Sequence, residues 1–171
     1  MSSPVLVLAD THIPRRAKGL PEALVPHLER AAQILHAGDL LEKSVIEELS
    51  RYAPVRAVKG NVDVPEVNLP ETLEFEVGDI PVAMVHDSGQ GKGRRARMRR
   101  RFPGARVVVF GHSHIPLLED DGELMLFNPG SPTDRRRQPK HTFGLLWAGG
   151  GAVRAEVRTL GGGVLFEAGP S

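Results

Sequence analysis

Val107-Val108-Val109-Phe110-Gly111-His112-Ser113-His114 joins four apolar residues to a glycine and two histidines. A continuous apolar run of this kind is typical of a central strand that is covered on both faces. His112 and His114 are two residues apart, so in an extended segment their side chains point to the same side. Two neighbouring imidazoles repel each other when protonated, whereas a metal cation accommodates both. The stretch therefore predicts a buried strand that ends at a metal site.

Four earlier segments repeat this arrangement of an apolar run followed by metal-binding residue types. They end in Asp10-Thr11-His12, Gly38-Asp39, Gly60-Asn61 and His86. With the last stretch they supply seven candidate metal ligands: Asp10, His12, Asp39, Asn61, His86, His112 and His114. Imidazole, carboxylate and amide groups suit manganese, iron, cobalt, nickel or zinc, and the lack of cysteine argues against a structural thiolate zinc site. Seven ligands are too many for one ion.

Each cluster taken singly also has an ordinary explanation. Asp10 and Asp39 could cap helices, Asn61 could be a turn residue, and His86 could be a structural histidine at a strand end. The coincidence of five clusters, each at the end of a predicted strand, favours one collective site. Among the other histidines, we expect His36 to be structural, although it is close to Asp39.

The order of elements predicts a parallel sheet followed by hairpins. Helical patterns over 20–32 and 41–52 separate the first three strands, which indicates βαβ units with loops gathered at the carboxyl ends of the strands. After residue 70, alternating residues and turns predict hairpins, with a basic helix over 93–102. The tail from about residue 161 could be loose or could add an edge strand at 164–166.

Composition restricts the classes of protein that remain. The 171 residues fit a single domain over 1–171, the net charge is +1, and no apolar run is long enough to span a membrane. With no cysteine and no leader pattern, we expect a cytoplasmic protein without a membrane partner. Residues 92–106 are strongly basic, but no aromatic residues interleave to stack on bases, so a solvated helix face is favoured over a nucleic-acid site. Arg94, Arg95 or Arg135 could steer an anionic substrate.

The ordered motifs Asp-x-His, Gly-Asp, Gly-Asn, His and Gly-His-x-His resemble those of the calcineurin-like metallophosphoesterase superfamily. The chain looks most like its small YfcE-like phosphodiesterase branch, which also has the elements His-x-Gly-Asp (36–39 here) and Asn-Pro-Gly-Ser (128–131 here). The similarity covers roughly residues 4–160. It implies an α/β fold of the four-layer α/β/β/α sandwich type.

The resemblance also implies a dinuclear centre. Asp10, His12, Asp39 and His114 would bind one divalent ion, and Asp39, Asn61, His86 and His112 would bind the second, so that Asp39 bridges both. Asp39, Asn61 and His112 are the catalytic candidates. His36, Asp63, Asn128 and Ser131 could orient a ligand or a phosphate oxygen. Manganese is the expected metal, with nickel, cobalt, iron or zinc as alternatives.

The implied activity is hydrolysis of a phosphoester by a hydroxide that bridges two metal ions. Many phosphomonoesterases of the superfamily have Gly-Asn-His-Glu, whereas this chain reads Gly60-Asn61-Val62-Asp63. Because valine cannot donate a proton, we expect phosphodiesters to be preferred over monoesters. Two alternatives remain: a catalytically weak interaction scaffold, as in a retromer subunit of this fold, and a nuclease that uses the basic 92–106 face. The sequence leaves the substrate and any homo-oligomer open.

Overall fold

The computed structural model describes residues 3–170 and arranges them in two β-sheets with a few short helices. The strands are β1 Val5–Leu8, β2 Gln33–His36, β3 Val55–Ala57, β4 Thr72–Val77, β5 Ile80–Val85, β6 Val107–Val109, β7 Leu117–Asp120, β8 Met125–Asn128, β9 Thr142–Gly149, β10 Ala152–Thr159 and β11 Val164–Ala168. The helices are α1 Val25–Arg30, α2 Lys43–Ser50 and α3 Arg94–Arg101, and short 3-10 turns occupy Glu22–Leu24 and Pro65–Val67.

Each sheet combines three parallel strands with antiparallel neighbours. The first sheet has the order β11-β10-β9-β1-β2-β3, and the second has the order β4-β5-β6-β8-β7. In the first sheet β1, β2 and β3 are parallel, and in the second β5, β6 and β8 are parallel. Since parallel strands end at the same edge of a sheet, each sheet gathers three strand ends on one side.

Alternation along the strands explains the layers. Val5 and Val7 of β1 face the other sheet, whereas Leu6 and Leu8 pack under α1 and α2. In the second sheet, Val108 of β6 lies on the opposite face from its neighbours and packs with residues of α3. Both sheets are thus apolar on both faces, and helices cover the two outer faces. This arrangement confirms the α/β/β/α sandwich that the motif pattern predicted.

The two sheets approach closely where Phe127 of β8 meets Gly144 of β9. A Cβ atom on Gly144 would lie 2.5 Å from the Phe127 ring, so only glycine leaves room for this side chain. Phe127 is fully buried between the sheets. Burial of a phenylalanine contributes about 2 kcal/mol to stability, and this contact fixes the spacing of the sheets that carry the clusters.

Two predicted elements differ from the structure, and one open alternative is decided by it. The helix expected over 20–32 is split into a 3-10 turn and the six-residue helix α1, because Pro26 lacks the N–H that a longer helix would need there. Helix α2 begins at Lys43 rather than 41, since Leu41 has a φ of 94° that no helix accommodates. Of the two alternatives for the tail, the structure shows the edge strand: Val164–Ala168 forms β11, which pairs with β10.

Within residues 3–170, the longest apolar helical segments fall short of what a membrane crossing requires.

Candidate metal centre

The parallel strands deliver all the candidate ligands to one edge of the sandwich. Strands β1, β2 and β3 of the first sheet are followed by Asp10 and His12, by Asp39, and by Asn61. Strands β5 and β6 of the second sheet are followed by His86 and by the pair His112 and His114. The backbone then ties neighbouring loops together: Asp10 N donates to Gly38 O at 3.0 Å and Gly111 N donates to His86 O at 2.9 Å. The sheet topology therefore turns distant positions into neighbours.

Six of the seven side chains form two compact triads, each with one carboxylate and two imidazoles. The first triad is Asp10, His12 and His114, and the second is Asp39, His86 and His112. In each triad the potential ligand atoms lie within 4.8 Å of one another. Both triads draw residues from both sheets, so neither could form in one sheet alone.

Asp39 joins the two triads. Its Oδ2 lies 3.1 Å from His86 Nε2 of the second triad and 3.5 Å from His12 Nε2 of the first. The seventh candidate, Asn61, belongs to the second group, because its Oδ1 lies 3.0 Å from His86 Nε2 and 3.3 Å from His112 Nδ1. A single carboxylate oxygen between two groups of nitrogen ligands is an arrangement that can bridge two cations.

Backbone carbonyls fix the tautomers of two histidines. His86 Nδ1 donates to Ala37 O at 2.7 Å, and His114 Nδ1 donates to Asp134 O. Because a carbonyl can only accept, each Nδ1 must carry a proton, and in the neutral ring Nε2 then presents a lone pair. These Nε2 atoms are the ones that point into the triads, which is the orientation that a metal-binding histidine needs.

The residues present fit a bound cation. Within residues 3–170, the buried atoms Asp10 Oδ2, His12 Nε2 and His114 Nε2 have no hydrogen-bond partner. Such unsatisfied buried polar atoms are costly, about 1–3 kcal/mol each, and three of them converge in the first triad. In the second triad, the acceptor oxygens of Asp39 and Asn61 both face His86 Nε2, a cluster that a positive charge would stabilise. All these donors are nitrogen or oxygen atoms.

The electrostatics of the pocket point in the same direction. Burial raises the pKa of Asp10 to about 7, while the charges of His86 and His12 act against this rise. Burial likewise disfavours ionisation of Asp39, but the adjacent imidazoles of His12 and His86 outweigh it and hold the pKa of Asp39 below its usual value. The pKa of His86 is raised despite burial, chiefly by its hydrogen bond to Asp39 and by the charge of Asp10. The carboxylates thus attract positive charge into the centre.

Most of the candidate ligands have a strained backbone. Asp10, His12, Asp39, His112 and His114 have φ angles of 55°, 47°, 59°, 73° and 60°. Non-glycine residues in this left-handed region cost about 1 kcal/mol or more each, and such residues cluster at functional sites. The loops therefore maintain these five side chains in the cluster at the expense of local stability.

Two of the four candidate supporting residues hold loops of the first sheet. Asp63 accepts hydrogen bonds from three backbone N–H groups, those of Asp39 at 3.1 Å, Leu41 at 2.7 Å and Gly60 at 2.7 Å. His36 Nδ1 accepts from Gly38 N at 3.1 Å, which places its proton on Nε2, next to Thr11 Oγ1 at 3.1 Å. Burial lowers the pKa of His36 to about 3, so the ring is neutral and structural.

The other two supporting residues hold loops of the second sheet against the first. Asn128 Nδ2 donates to Gly111 O and to Ser113 Oγ, both at 3.2 Å, and so braces the segment that carries His112 and His114. Ser131 Oγ donates to Asp10 O at 2.8 Å. In the structure these two residues, like Asp63 and His36, position the loops of the centre and do not belong to the triads.

Gly60 is required by close approach of the loops. A Cβ atom at this position would lie 2.0 Å from Asp39 Oδ1 and 2.3 Å from Asp39 N. The glycine therefore lets the loop after β3 pack against Asp39, and Val62 N on the same loop donates to Asp39 Oδ1 at 3.0 Å.

Most of the arginines of the basic 92–106 segment are engaged in structural contacts. Arg97 donates to the carbonyls of Ser88 and Gln90, and Arg106 forms a bidentate pair with Asp120. Arg95 donates to Leu124 O and contacts Asp121 at 3.3 Å. These contacts favour the structural interpretation of the basic helix over a nucleic-acid surface.

Some groups near the centre were not predicted from the sequence, and one predicted role differs from the structure. The carbonyls of Ala37 and Asp134 orient His86 and His114, but a backbone carbonyl has no residue-specific signal. Arg135, considered as a steering group, instead donates to Gln138 O at 2.6 Å within its own loop. Asp87 lies 3.9 Å from His112 Nε2 and is exposed.

Comparisons with known proteins agree with this geometry. A family model described as a calcineurin-like phosphoesterase superfamily domain matches residues 4–149. A probable metallophosphoesterase of Methanocaldococcus jannaschii is 37% identical over 130 residues, which are 74% of this chain and 67% of the relative.

Solved structures show the same fold. Vps29 from Cryptosporidium parvum superimposes with a TM-score of 0.85 at 23% identity, covering 99% of this chain and 98% of its own. A Vps29 in complex with Zn²⁺ from Entamoeba histolytica has a TM-score of 0.81 at 26% identity, covering 97% of this chain and 98% of its own. The chain thus belongs to the calcineurin-like phosphoesterase superfamily.

Proposed function

We propose that this chain is a divalent-metal-dependent phosphodiesterase with a dinuclear centre. The observation that carries the proposal is the position of Asp39 Oδ2, which contacts His12 of the first triad and His86 of the second. Asp10, His12, His114 and Asp39 would hold one ion, and Asp39, Asn61, His86 and His112 would hold the other. Asp39, Asn61 and His112 are proposed as catalytic residues because they belong to the more open second group, where His112 is partly exposed.

The metal ions, when bound, supply an acidified water as nucleophile and neutralise charge on the phosphoryl oxygens. The chain's own residues provide position. The carbonyls of Ala37 and Asp134 keep the Nε2 atoms of His86 and His114 aimed at the centre. Asp63 and Asn128 hold the loops that carry Asp39 and His112, so that the ligands are preorganised before substrate arrives.

The preference for diesters rests on Val62. This residue follows Asn61 at the edge of the centre, where it contributes a backbone N–H to Asp39 but no side chain that could protonate a leaving group. With the same leaving group, a monoester passes through a looser transition state that places more charge on the departing oxygen than a diester does, so the monoester depends more on a general acid. We therefore propose phosphodiesters with good leaving groups as the better substrates.

Manganese is the metal that we would test first. Imidazole and carboxylate ligands also suit zinc, nickel, cobalt and iron, and the Vps29 neighbour from Entamoeba histolytica was solved with Zn²⁺. A cytoplasmic location and a single domain over 1–171 stay predictions.

The proposal is tested by hydrolysis of bis-p-nitrophenyl phosphate and p-nitrophenyl phosphate by chelator-stripped protein, with manganese added back. We expect manganese-dependent turnover, with a higher kcat/KM for the diester. A His86→Ala variant should lose turnover, whereas His27→Ala, which removes a histidine from α1 away from the triads, should keep it. Absence of turnover with every divalent metal, or a clear preference for the monoester, would contradict the proposal.

A second candidate function is a protein-interaction scaffold. It is favoured by the likeness to Vps29, whose full name, vacuolar protein sorting 29, places that protein in vacuolar protein sorting. A scaffold has no need for two complete triads, so their presence favours the hydrolase. Tight metal binding without turnover would favour the scaffold.

A further inference from the structure

A pocket opens beside the metal centre, next to the segment that carries His112 and His114. Its volume is about 400 Å³, and it is lined by Ser113, Ile115, Arg136, Arg137 and Gln138. This volume is in the range of pockets that bind small molecules. None of these five residues has a role in the proposed hydrolysis at the triads.

The pocket and the first triad share two segments of chain. Ser113 lies between His112 and His114 in the sequence, and Asp134, whose carbonyl accepts from His114 Nδ1, begins the loop that carries Arg136 and Arg137. Arg136 and Ser113 both line the pocket, so the pocket touches the segment that carries His114 and the loop that its imidazole contacts. A substrate held at the triads could therefore extend into the pocket.

Two guanidinium groups in this loop have no partner among the residues that the structure describes. Arg135 is used within the loop, where it donates to Gln138 O at 2.6 Å. Arg136 and Arg137 are exposed, and across residues 3–170 neither side chain forms a hydrogen bond or an ion pair. Adjacent cations repel each other, and planar guanidinium groups present paired donors that match a phosphate. The local charge thus favours an anionic group in the pocket.

The pocket also offers apolar surface. Ile115 follows His114 directly, and its side chain is 50% exposed although large aliphatic residues are usually buried. A carbon skeleton that leads away from the triads would cover this side chain. The combination of Ile115 with two free arginines fits an organic group that ends in a phosphate.

We propose that this pocket binds the second phosphate of substrates that carry two phosphoryl groups. The inference rests on the proposed function, in which the phosphodiester to be cleaved is held at the triads. The charge of a single diester would already be met there by the metal ions, so Arg136 and Arg137 are available for a further anion. Ile115 would contact the sugar or other carbon skeleton between the two phosphates.

The direct test is binding, measured by calorimetry on the manganese-loaded protein. The probes are thymidine 3′,5′-bisphosphate and thymidine 5′-monophosphate, which differ only in the second phosphate. We expect the bisphosphate to bind about ten-fold more tightly, the effect of one hydrogen-bonded charge pair. The Arg136→Gln/Arg137→Gln variant should reduce this ratio to about one, while Arg30→Gln, which removes a charge from the exposed end of α1, should leave it unchanged.

Equal affinity of the two nucleotides, no binding of either, or a preference that persists in the double variant would overturn the inference. Turnover separates this outcome from failure of the proposed function. The matched substrates are thymidine 5′-(p-nitrophenyl phosphate) and the same ester with a 3′-phosphate. Turnover of both esters at the same kcat/KM would contradict the pocket alone. If the bisphosphate bound more tightly but neither ester nor bis-p-nitrophenyl phosphate were hydrolysed, the proposed phosphodiesterase activity would be contradicted. The phosphate-binding pocket would then still stand.

Discussion

Replacement of Asp63 by asparagine should disrupt the metal centre without touching a ligand. The Asp63 carboxylate is 8% exposed and accepts three backbone hydrogen bonds, from Asp39 N, Leu41 N and Gly60 N. An amide can keep one oxygen as acceptor, but its NH₂ group must then face at least one of these N–H donors. We therefore expect Asp63→Asn to lose one charged hydrogen bond, to leave a buried donor unpaired and to weaken the remaining bonds.

The magnitude follows from these contacts. A hydrogen bond to a charged group contributes about 1.5–3 kcal/mol, so the free energy of unfolding should fall by about 3 kcal/mol. Because the same N–H groups fix the loops of Asp39 and Asn61, manganese affinity should also fall by about 10- to 100-fold, as is usual when a residue that orients metal ligands is lost.

The assay is urea denaturation of chelator-stripped protein, together with manganese titration of the folded variant. Asp79→Asn is the matched control, since Asp79 is exposed and accepts one hydrogen bond, from Gly151 N at 2.8 Å, in the β4–β5 turn, at the opposite end of β5 from His86. We expect the control to change stability by less than about 0.5 kcal/mol. If Asp63→Asn matched the control in both measurements, the claim that this carboxylate organises the centre would be refuted.

Three further changes test other parts of the site. Gly60→Ala should displace Asp39, because its Cβ would lie 2.0 Å from Asp39 Oδ1, and should weaken manganese binding at least ten-fold. Gly91→Ala, whose Cβ meets open space, is the control. Equal manganese affinity of the two variants would contradict the steric reasoning. Burial lowers the pKa of His36 to about 3 from the 6.5 of a free histidine, so the unfolded chain binds a proton that the folded chain excludes, and stability should fall as the pH drops from 6.5 towards 3. Between pH 7 and pH 5 urea denaturation should show a loss of about 2 kcal/mol that is absent in His36→Gln, and identical pH profiles would argue against a neutral buried ring. Val62→His should raise the monoester-to-diester ratio of kcat/KM by about ten-fold or more if a missing acid sets the preference, and an unchanged ratio would remove Val62 from the explanation.

The sequence predicts the sandwich and the clustering of the site better than it predicts local detail. Apolar runs such as Val107–Val109, followed by polar residues, predict buried strands and their ends well, because a buried strand needs apolar side chains and the loop that follows it does not. Pairing of His114 with Asp10 and His12, by contrast, depends on how the two sheets face each other, and the ligand assignment came from family resemblance.

Local detail was harder to predict where a contact lacks a residue-specific signal. Asp63 was predicted as a residue that could orient a ligand or a phosphate oxygen, but its hydrogen bonds from Asp39 N and Leu41 N come from a loop that is distant in sequence and carries no signal. The pocket beside Ile115 was missed for the same reason, since an exposed isoleucine and a run of arginines gain meaning only when the fold brings them next to the triads.

The central claim is that the two triads hold two metal ions per chain. Manganese should be counted by calorimetry and by elemental analysis of the dialysed protein, in the wild type and in the variants His114→Ala and His112→Ala. We predict two equivalents for the wild type and the loss of about one in each variant. A wild-type stoichiometry of one or none at saturating manganese would contradict the dinuclear centre.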